Sequence, residues 1–193
     1  MRATVLISLV RRQYYGSLET DGHLWIYMEL MDLSLLELDR LVRTHCGLGV
    51  PESILGRIAF EMLSALDDML TKCRVMHCNV TPDNVLLNRR GEVKLCDFGL
   101  SRLVEFTSPQ MSSIPGCIKY QAPERFDPST SHSYDHKSDI WSVGLTIYQL
   151  AIGKYPFEGN ILEVLQSITN DTPNRFRLPS GHSEWFQQFI DKW

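Results

Sequence analysis

Apolar residues recur at helical spacing between residues 51 and 73, which is the strongest periodic signal in the chain. Pro51 stands where a proline is tolerated, because the first N–H groups of a helix have no partner inside it. The pattern therefore predicts an amphipathic helix over 51–73. Its apolar face contains Ile54, Leu55, Ile58, Met62, Leu66, Met69 and Leu70.

Short segments rich in β-forming residues lie on both sides of this helix. Tyr14–Leu18 and Leu24–Met28 flank the dipeptide Asp21-Gly22, which is typical of tight hairpin turns. Downstream of the helix, a turn containing Arg90-Gly91 separates two more short strands. These strands are predicted at Val85–Leu87 and Val93–Leu95.

The second half of the chain is predicted to be a long loop followed by helices. Residues 100–118 are rich in Ser, Thr and Pro and have no apolar period, which favours a loop. Ser138 is interpreted as the cap of a helix that runs through Ala151, with Gly153 just past its end. A last helix begins near Ser183, and its apolar stripe contains Trp185, Phe186, Phe189, Ile190 and Trp193.

Composition and charge narrow the class of protein. The 193 residues are 44% hydrophobic and 22% charged, with a net charge of −4, as in an ordinary globular protein. The chain has no basic stripe and no run of about 20 apolar residues, so we expect neither nucleic acid binding nor a membrane span. Five cysteines without a C-x-x-C pair favour a reducing compartment, so a cytoplasmic location is expected.

The N-terminal residues only loosely imitate a signal peptide. The apolar run Ala3–Val10 lacks a small-residue cleavage site and is followed at once by Arg11-Arg12. We therefore expect a buried strand or the end of a helix here.

Several short motifs occur in one characteristic order. Asp-Phe-Gly alone is a weak signal, but its ordered companions make chance occurrence negligible. This order resembles the catalytic core of protein kinases. The motifs are His77-Cys78-Asn79, Asn84, Asp97-Phe98-Gly99, Ala122-Pro123-Glu124 and Asp139-x-Trp141-x-x-Gly144.

Over about residues 13–193 the chain more specifically resembles MAP kinase kinases. Within that family it resembles the stress-activated branch most. The resemblance is seen in Trp25–Asp32, Ile54–Ala59, Lys94–Gly99, Gly116–Arg125 and Lys137–Ser142. The resemblance implies an α+β, protein kinase-like fold, mainly the helical C-lobe. Residues 1–32 would be remnant N-lobe strands and the hinge, and residues 33–193 a C-lobe truncated before its C-terminal end.

The resemblance also assigns the nucleotide and metal positions. Asn84 and Asp97 match the Mg²⁺ ligands, and a carboxylate with an amide oxygen suits that ion, although both residues are also typical caps of turns. Met28 matches the gatekeeper, and the backbone of Glu29 and Met31 would bind adenine. Leu86 would form the floor of the ATP pocket, although these apolar side chains are equally typical of plain core.

Three positions depart from the family pattern. Asn79 stands where kinases have the aspartate that takes the substrate's proton, and an amide cannot hold that proton at neutral pH. Thr81 replaces the lysine that neutralises the transferring phosphate. Cys78 replaces the arginine that binds a phosphorylated activation loop.

Other matched positions are structural or regulatory. His77 is expected to pack against Phe98 as a core residue, and Asp139 is matched to a structural aspartate. Glu124 would need a partner in place of the family's arginine. Ser108 and Ser112 fall where MAP kinase kinases are phosphorylated; an ordinary polar loop is the alternative there.

Of three functional hypotheses, Asn79, Cys78 and Thr81 favour the first over the second, so phosphate transfer is predicted to be absent. The first is a pseudokinase that serves as an interaction module, with a MAP kinase and an upstream kinase as partners. The second is a weakly active protein serine/threonine kinase that uses ATP and Mg²⁺, as its family does. The third is a truncated gene product, because only about a dozen residues precede the hairpin and no glycine-rich phosphate loop is found among them.

Overall fold

The computed structural model describes residues 14–47, 49–104, 116–126, 136–170 and 176–192. The apolar run at 3–10, the phosphorylation positions Ser108 and Ser112, and Trp193 lie outside the described residues. Within the described ranges, no helix is long and apolar enough to cross a membrane.

The first described element is an antiparallel hairpin of β1 (Tyr14–Thr20) and β2 (His23–Met28). Asp21 and Gly22 both have left-handed φ angles, 52° and 72°, as the tight hairpin turn requires. The predicted hairpin is thus confirmed. Its large apolar side chains are mostly exposed, namely Tyr15, Leu18, Leu24, Trp25, Ile26 and Tyr27.

Two small antiparallel sheets follow. β3 (Leu33–Ser34), β5 (Val85–Leu87) and β6 (Val93–Leu95) form one sheet in that order, and the predicted bounds of β5 and β6 are confirmed. β4 (Val75–Met76) pairs with β7 (Arg102–Leu103). These short strands bracket the loops that contain the kinase-like motifs.

Five α-helices are found in the described residues. Ser34 caps the first with a complete capping box to Glu37, and Ser183 caps the last by accepting a hydrogen bond from Phe186 N. The helices predicted over 51–73, through Ala151 and from Ser183 are confirmed. The helices are α1 (Leu35–Cys46), α2 (Glu52–Cys73), α3 (His136–Ile152), α4 (Ile161–Thr169) and α5 (Glu184–Ile190).

Two details of the helix predictions are wrong. Ser138 does not cap α3; it lies buried within the helix, and its hydroxyl donates to Glu124 Oε1 at 2.8 Å. Every residue of α3 from Ser142 to Ala151 is buried. The helix therefore has no alternation of apolar and polar faces from which its first residue could be predicted. Ile54 and Trp185, both placed on apolar faces, are exposed because tertiary packing covers only part of each stripe.

The main core lies between α2 and α3. Strands β4, β5 and β6 add valine and leucine side chains to the same cluster. The loops after β4 and β6 therefore begin from a packed base, which fixes the position of their polar residues. The buried residues of this core include Leu55, Ile58, Met62 and Met69 of α2 and Val143, Ile147 and Leu150 of α3.

Candidate functional site

The loop between β4 and β5 is tied to the core by one carboxylate. Asp139, only 3% exposed, accepts hydrogen bonds from the backbone N–H groups of His77 at 2.8 Å and Cys78 at 2.9 Å. Cys78 has a left-handed φ of 67°, which is uncommon for a residue with a side chain. The first turn of α3 thus holds the start of the loop in a sparsely populated backbone conformation.

His77 uses both of its ring nitrogens inside the protein. Nε2 lies 3.0 Å from the carbonyl oxygen of Cys96, and Nδ1 lies 3.3 Å from Asn79 N, which donates to it. The ring meets Phe98 edge-on, with 5.3 Å between centroids. Burial lowers the pKa of His77, so the ring is neutral, with its proton on Nε2, and neither nitrogen is available for catalysis.

This burial predicts acid sensitivity. The pKa of His77 is lowered from its ordinary value of 6.5, so below that pH the unfolded chain takes up a proton that the folded chain does not. The free energy of unfolding should fall by up to about 1.4 kcal/mol per pH unit as the pH drops from 6.5 towards the depressed value. Urea denaturation at several pH values measures this slope.

His77→Gln is expected to reduce that slope, since the titrating ring is gone. His45→Gln is the matched control, because the His45 side chain is exposed at the end of α1. Equal slopes for the His77 variant and the unmodified chain would contradict the prediction.

Asn79 lies at the centre of the predicted site. Its Nδ2 donates to Asp97 Oδ2 at 3.2 Å, and its Oδ1 accepts from the backbone N–H of Cys117 at 3.2 Å. Asn84 Nδ2 donates to the carbonyl oxygen of Asn79 at 2.9 Å. The fold thus brings together Asn79, Asn84 and Asp97, which are up to 18 residues apart in sequence.

Asn84 and Asp97 offer a donor set that suits Mg²⁺. Because Asn84 spends its NH₂ group on Asn79, its hard oxygen Oδ1 is the end left for a cation. Asp97 Oδ1 accepts from Gly99 N at 3.3 Å, so Asp97 does cap a turn, but each carboxylate oxygen has a second lone pair. Mg²⁺ often uses one or two such protein ligands together with substrate phosphates.

No larger metal centre is found in the part of the chain that the structure describes. That part contains no cluster of three or more His, Cys, Asp or Glu side chains that could hold a metal ion.

One of the predicted adenine residues, Glu29, forms a part-buried ion pair with Lys94. Lys94 Nζ donates to Glu29 Oε1 at 2.6 Å, and both side chains are only 10% exposed. Lys94 is also the register partner of Leu86, so Glu29 and Leu86 lie on the same side of the site. Met28 and Met31 flank Glu29 and are half-buried. Sequence reasoning missed Lys94, because no local pattern marks an ion pair across 65 residues.

Thr81 and Cys78, the other two positions that depart from the family pattern, are buried. Thr81 is 5% exposed, and its carbonyl oxygen accepts from Asn84 N at 3.0 Å. Cys78 is also buried, with its Sγ 3.7 Å from the carbonyl oxygen of Met76. Neither side chain places a positive charge beside Asp97.

The segment that follows Cys117 is anchored on α3. Ser142 Oγ donates to the carbonyl oxygen of Tyr120 at 2.7 Å, and Tyr120 OH donates to Gln149 Oε1 at 2.6 Å. Burial raises the pKa of Tyr120, so its hydroxyl stays protonated as a donor. Glu124, next in this segment, receives the Ser138 hydroxyl bond described above. The sequence carried no signal for the Tyr120–Gln149 pair.

Comparison with known proteins agrees with this arrangement. A family model for the protein kinase domain matches residues 10–193, which is nearly the whole chain. The chain belongs to the protein kinase domain family. The predicted kinase-like fold and the ordered motifs are thereby confirmed.

Within this kinase family, the chain is similar to dual specificity mitogen-activated protein kinase kinases. It is 35% identical over 185 residues to sek-1 and 38% identical over 178 residues to mek-1, both of Caenorhabditis elegans. It is 37% identical over 182 residues to hemipterous of Drosophila melanogaster. These alignments include 92–93% of this chain, which confirms the predicted resemblance.

The alignments cover much less of the relatives. The chain spans about half the length of the two worm proteins, 54% of sek-1 and 49% of mek-1, and 15% of hemipterous. Any function inferred from these relatives therefore concerns the kinase domain.

Proposed function

We propose that this chain is a MAP kinase kinase-like domain that binds proteins of a MAP kinase cascade without transferring phosphate. One observation carries the proposal: the side chain at the position of the catalytic base is the amide of Asn79, and both ends of that amide are hydrogen-bonded within the protein. The proposal assigns residues 1–32 to the smaller lobe and the hinge and residues 33–193 to the larger lobe.

The chemistry of the amide supports the absence of phosphate transfer. A general base must accept a proton from the substrate hydroxyl, and a neutral amide does not do so near pH 7. Asn79 Nδ2 already donates to Asp97, and Oδ1 already accepts from Cys117 N. A substrate hydroxyl could still donate to the second lone pair of Oδ1, but the neutral amide would not take up its proton. Loss of a positioned base lowers turnover by about 10²–10⁴-fold.

The environment of Thr81 supports the same conclusion. A transferring phosphoryl group develops negative charge that kinases neutralise with metal ions and cations. The neutral side chain of Thr81 is buried at the position of the family's lysine, so it supplies no charge. Two separate contributions to the rate are therefore missing from one loop.

Asn84 and Asp97 favour the alternative, a weakly active ATP-dependent kinase. Both lie within hydrogen-bonding distance of Asn79 and present oxygen atoms that would hold Mg²⁺. A bound Mg²⁺ would neutralise phosphate charge. Asn84 and Asp97 would then bind nucleotide even if no phosphate is transferred.

The partners and location are proposed from the relatives and the cysteines. The relatives are named as MAP kinase kinases, so we propose a MAP kinase and an upstream kinase as partners. All five cysteines lie in the described residues as thiols rather than disulfides, which supports a reducing location such as the cytoplasm.

The proposal is tested by measuring phosphate transfer and binding separately. The purified chain is incubated with radiolabelled ATP, Mg²⁺ and an unphosphorylated stress-activated MAP kinase, and its affinity for that MAP kinase is measured without ATP. We expect binding but no labelled MAP kinase above a blank without the chain. An active MAP kinase kinase serves as the positive control for the substrate.

The variant Asn79→Asp/Thr81→Lys, fused to a complete upstream lobe, tests the cause. Transfer by this fusion, and none by a fusion that keeps Asn79 and Thr81, would assign the defect to these two residues. Labelling of the MAP kinase by the unmodified chain would overturn the proposal in favour of the weakly active kinase. A rise in melting temperature that requires both ATP and Mg²⁺ would show that Asn84 and Asp97 still support nucleotide binding.

A further inference from the structure

The carboxylate of Asp97 is met by a neutral donor. Asp97 is exposed, and its Oδ2 lies 3.2 Å from Asn79 Nδ2. A hydrogen bond to an ionised acceptor is stronger than one between neutral groups. Asn79 therefore stabilises the negative charge at the Asp-Phe-Gly turn with a dipole, where a metal ion would do so with a charge.

The other end of the Asn79 amide binds the backbone of Cys117. Asn79 Oδ1 accepts from Cys117 N at 3.2 Å, the first hydrogen bond described after the 105–115 interval. Gly116 lies against the loop so closely that a Cβ there would be 2.6 Å from the carbonyl oxygen of Cys78. Its φ of 96° also favours glycine. The backbone at 116–117 thus contacts the loop between β4 and β5 directly.

We propose that Asn79 is a metal-independent clamp that joins the loop 77–84, the turn at Asp97 and the backbone at 116–117. The clamp needs a donor at one end of the side chain and an acceptor at the other, and only an amide of this size provides both. Asn79 is therefore a positioning residue in this chain. It lacks the function of a base, but its amide has a structural role of its own.

An aspartate in the same place would have the opposite effect on Asp97. It would keep an acceptor for Cys117 N but would put a second carboxylate about 3 Å from Asp97 Oδ2, where like charges repel. A divalent cation bound between the two carboxylates would offset this repulsion. The clamp concerns the same loop as the proposed function, but stability and phosphate transfer are measured separately, so either can fail alone.

A charge-swap experiment on the full chain tests the clamp. Three variants, Asn79→Asp, Asp97→Asn and the double variant, are compared with the unmodified chain in EDTA and in excess MgCl₂. The readouts are the melting temperature and amide hydrogen exchange over residues 116–126. In the double variant the amide at 97 can donate to the carboxylate at 79, so the bond is restored in reverse.

In EDTA, Asn79→Asp should melt about 2–6 °C lower and exchange residues 116–126 about tenfold faster. The double variant should recover most of both losses, which a role in packing alone would not predict. Mg²⁺ should raise the melting temperature of Asn79→Asp more than that of the unmodified chain. Gln188→Glu, on an exposed residue of α5, adds the same charge elsewhere. It should leave exchange over residues 116–126 unchanged, and its melting temperature should fall only by the small repulsion from Glu184 and Asp191.

Two outcomes would overturn the clamp. One is an Asn79→Asp variant as stable and as slowly exchanging in EDTA as the unmodified chain. The other is a double variant as destabilised as Asn79→Asp. If Asn79→Asp does not fold, the double variant decides: a folded double variant supports the clamp, and an unfolded one overturns it.

Discussion

Replacing Asp139 with alanine is expected to lower the free energy of unfolding by roughly 3–5 kcal/mol. The carboxylate accepts the N–H groups of His77 and Cys78, and its removal leaves both donors buried without it. Each buried donor that loses its partner costs about 1–3 kcal/mol. The left-handed conformation of Cys78 would also lose its support. Urea denaturation measures the loss of unfolding free energy, and we expect a lower midpoint with an unchanged m-value.

Two further variants make this prediction specific. Asp139→Asn keeps one acceptor oxygen and should lose about half as much stability, because one N–H group is still satisfied. Glu158→Ala removes a carboxylate whose side chain is 84% exposed, so it should change stability by no more than about 0.5 kcal/mol. An Asp139→Ala chain as stable as the Glu158→Ala control would contradict the role given to Asp139.

Replacing Gly49 with alanine is expected to destabilise the protein by about 3 kcal/mol or more. A Cβ at this position would lie 1.9 Å from the carbonyl oxygen of Ala151, a backbone atom that cannot rotate away. The adjacent Val50 N donates to the carbonyl oxygen of Leu150 at 2.8 Å, which fixes this segment against the end of α3. Relief of the clash would break that bond or shift α3.

Gly56→Ala is the matched control and should have the opposite sign. Gly56 is an exposed residue of α2, and a Cβ there would meet nothing within 4 Å. Alanine lowers the entropy of the unfolded chain and favours the helix, so we expect a gain of about 0.5–1 kcal/mol. Thermal or urea denaturation of both variants tests the pair, and a loss of stability in Gly56→Ala would contradict it.

Asp139 and Gly49 are both linked to α3, at opposite ends of the helix. Asp139, in the first turn of α3, binds the start of the loop 77–84, and Gly49 lies against the backbone at the end of α3. α3 is therefore the base on which the loop with Asn79 is positioned. A change at either residue is expected to affect the proposed partner binding only through stability.

Local interactions along the chain were enough to specify several elements. Asp21-Gly22 specifies the hairpin because few other residues adopt two successive left-handed conformations. The periodic apolar face of α2 and the strands β5 and β6 were predicted at or near their observed bounds, since propensity, turn residues and periodicity agree there. The ordered motifs likewise identified the kinase family without any coordinates.

Which distant groups meet became visible only in the folded chain. The Glu29–Lys94 ion pair, the Asp139 bonds to the loop and the Ser138–Glu124 bond join residues 14 to 65 positions apart. Asn79 was recognisable in the sequence as a lost base, but its place between Asp97 and Cys117 was not. Hydrogen bonds between distant residues leave no periodic trace in the chain, because their geometry is set by the packing of α2 against α3.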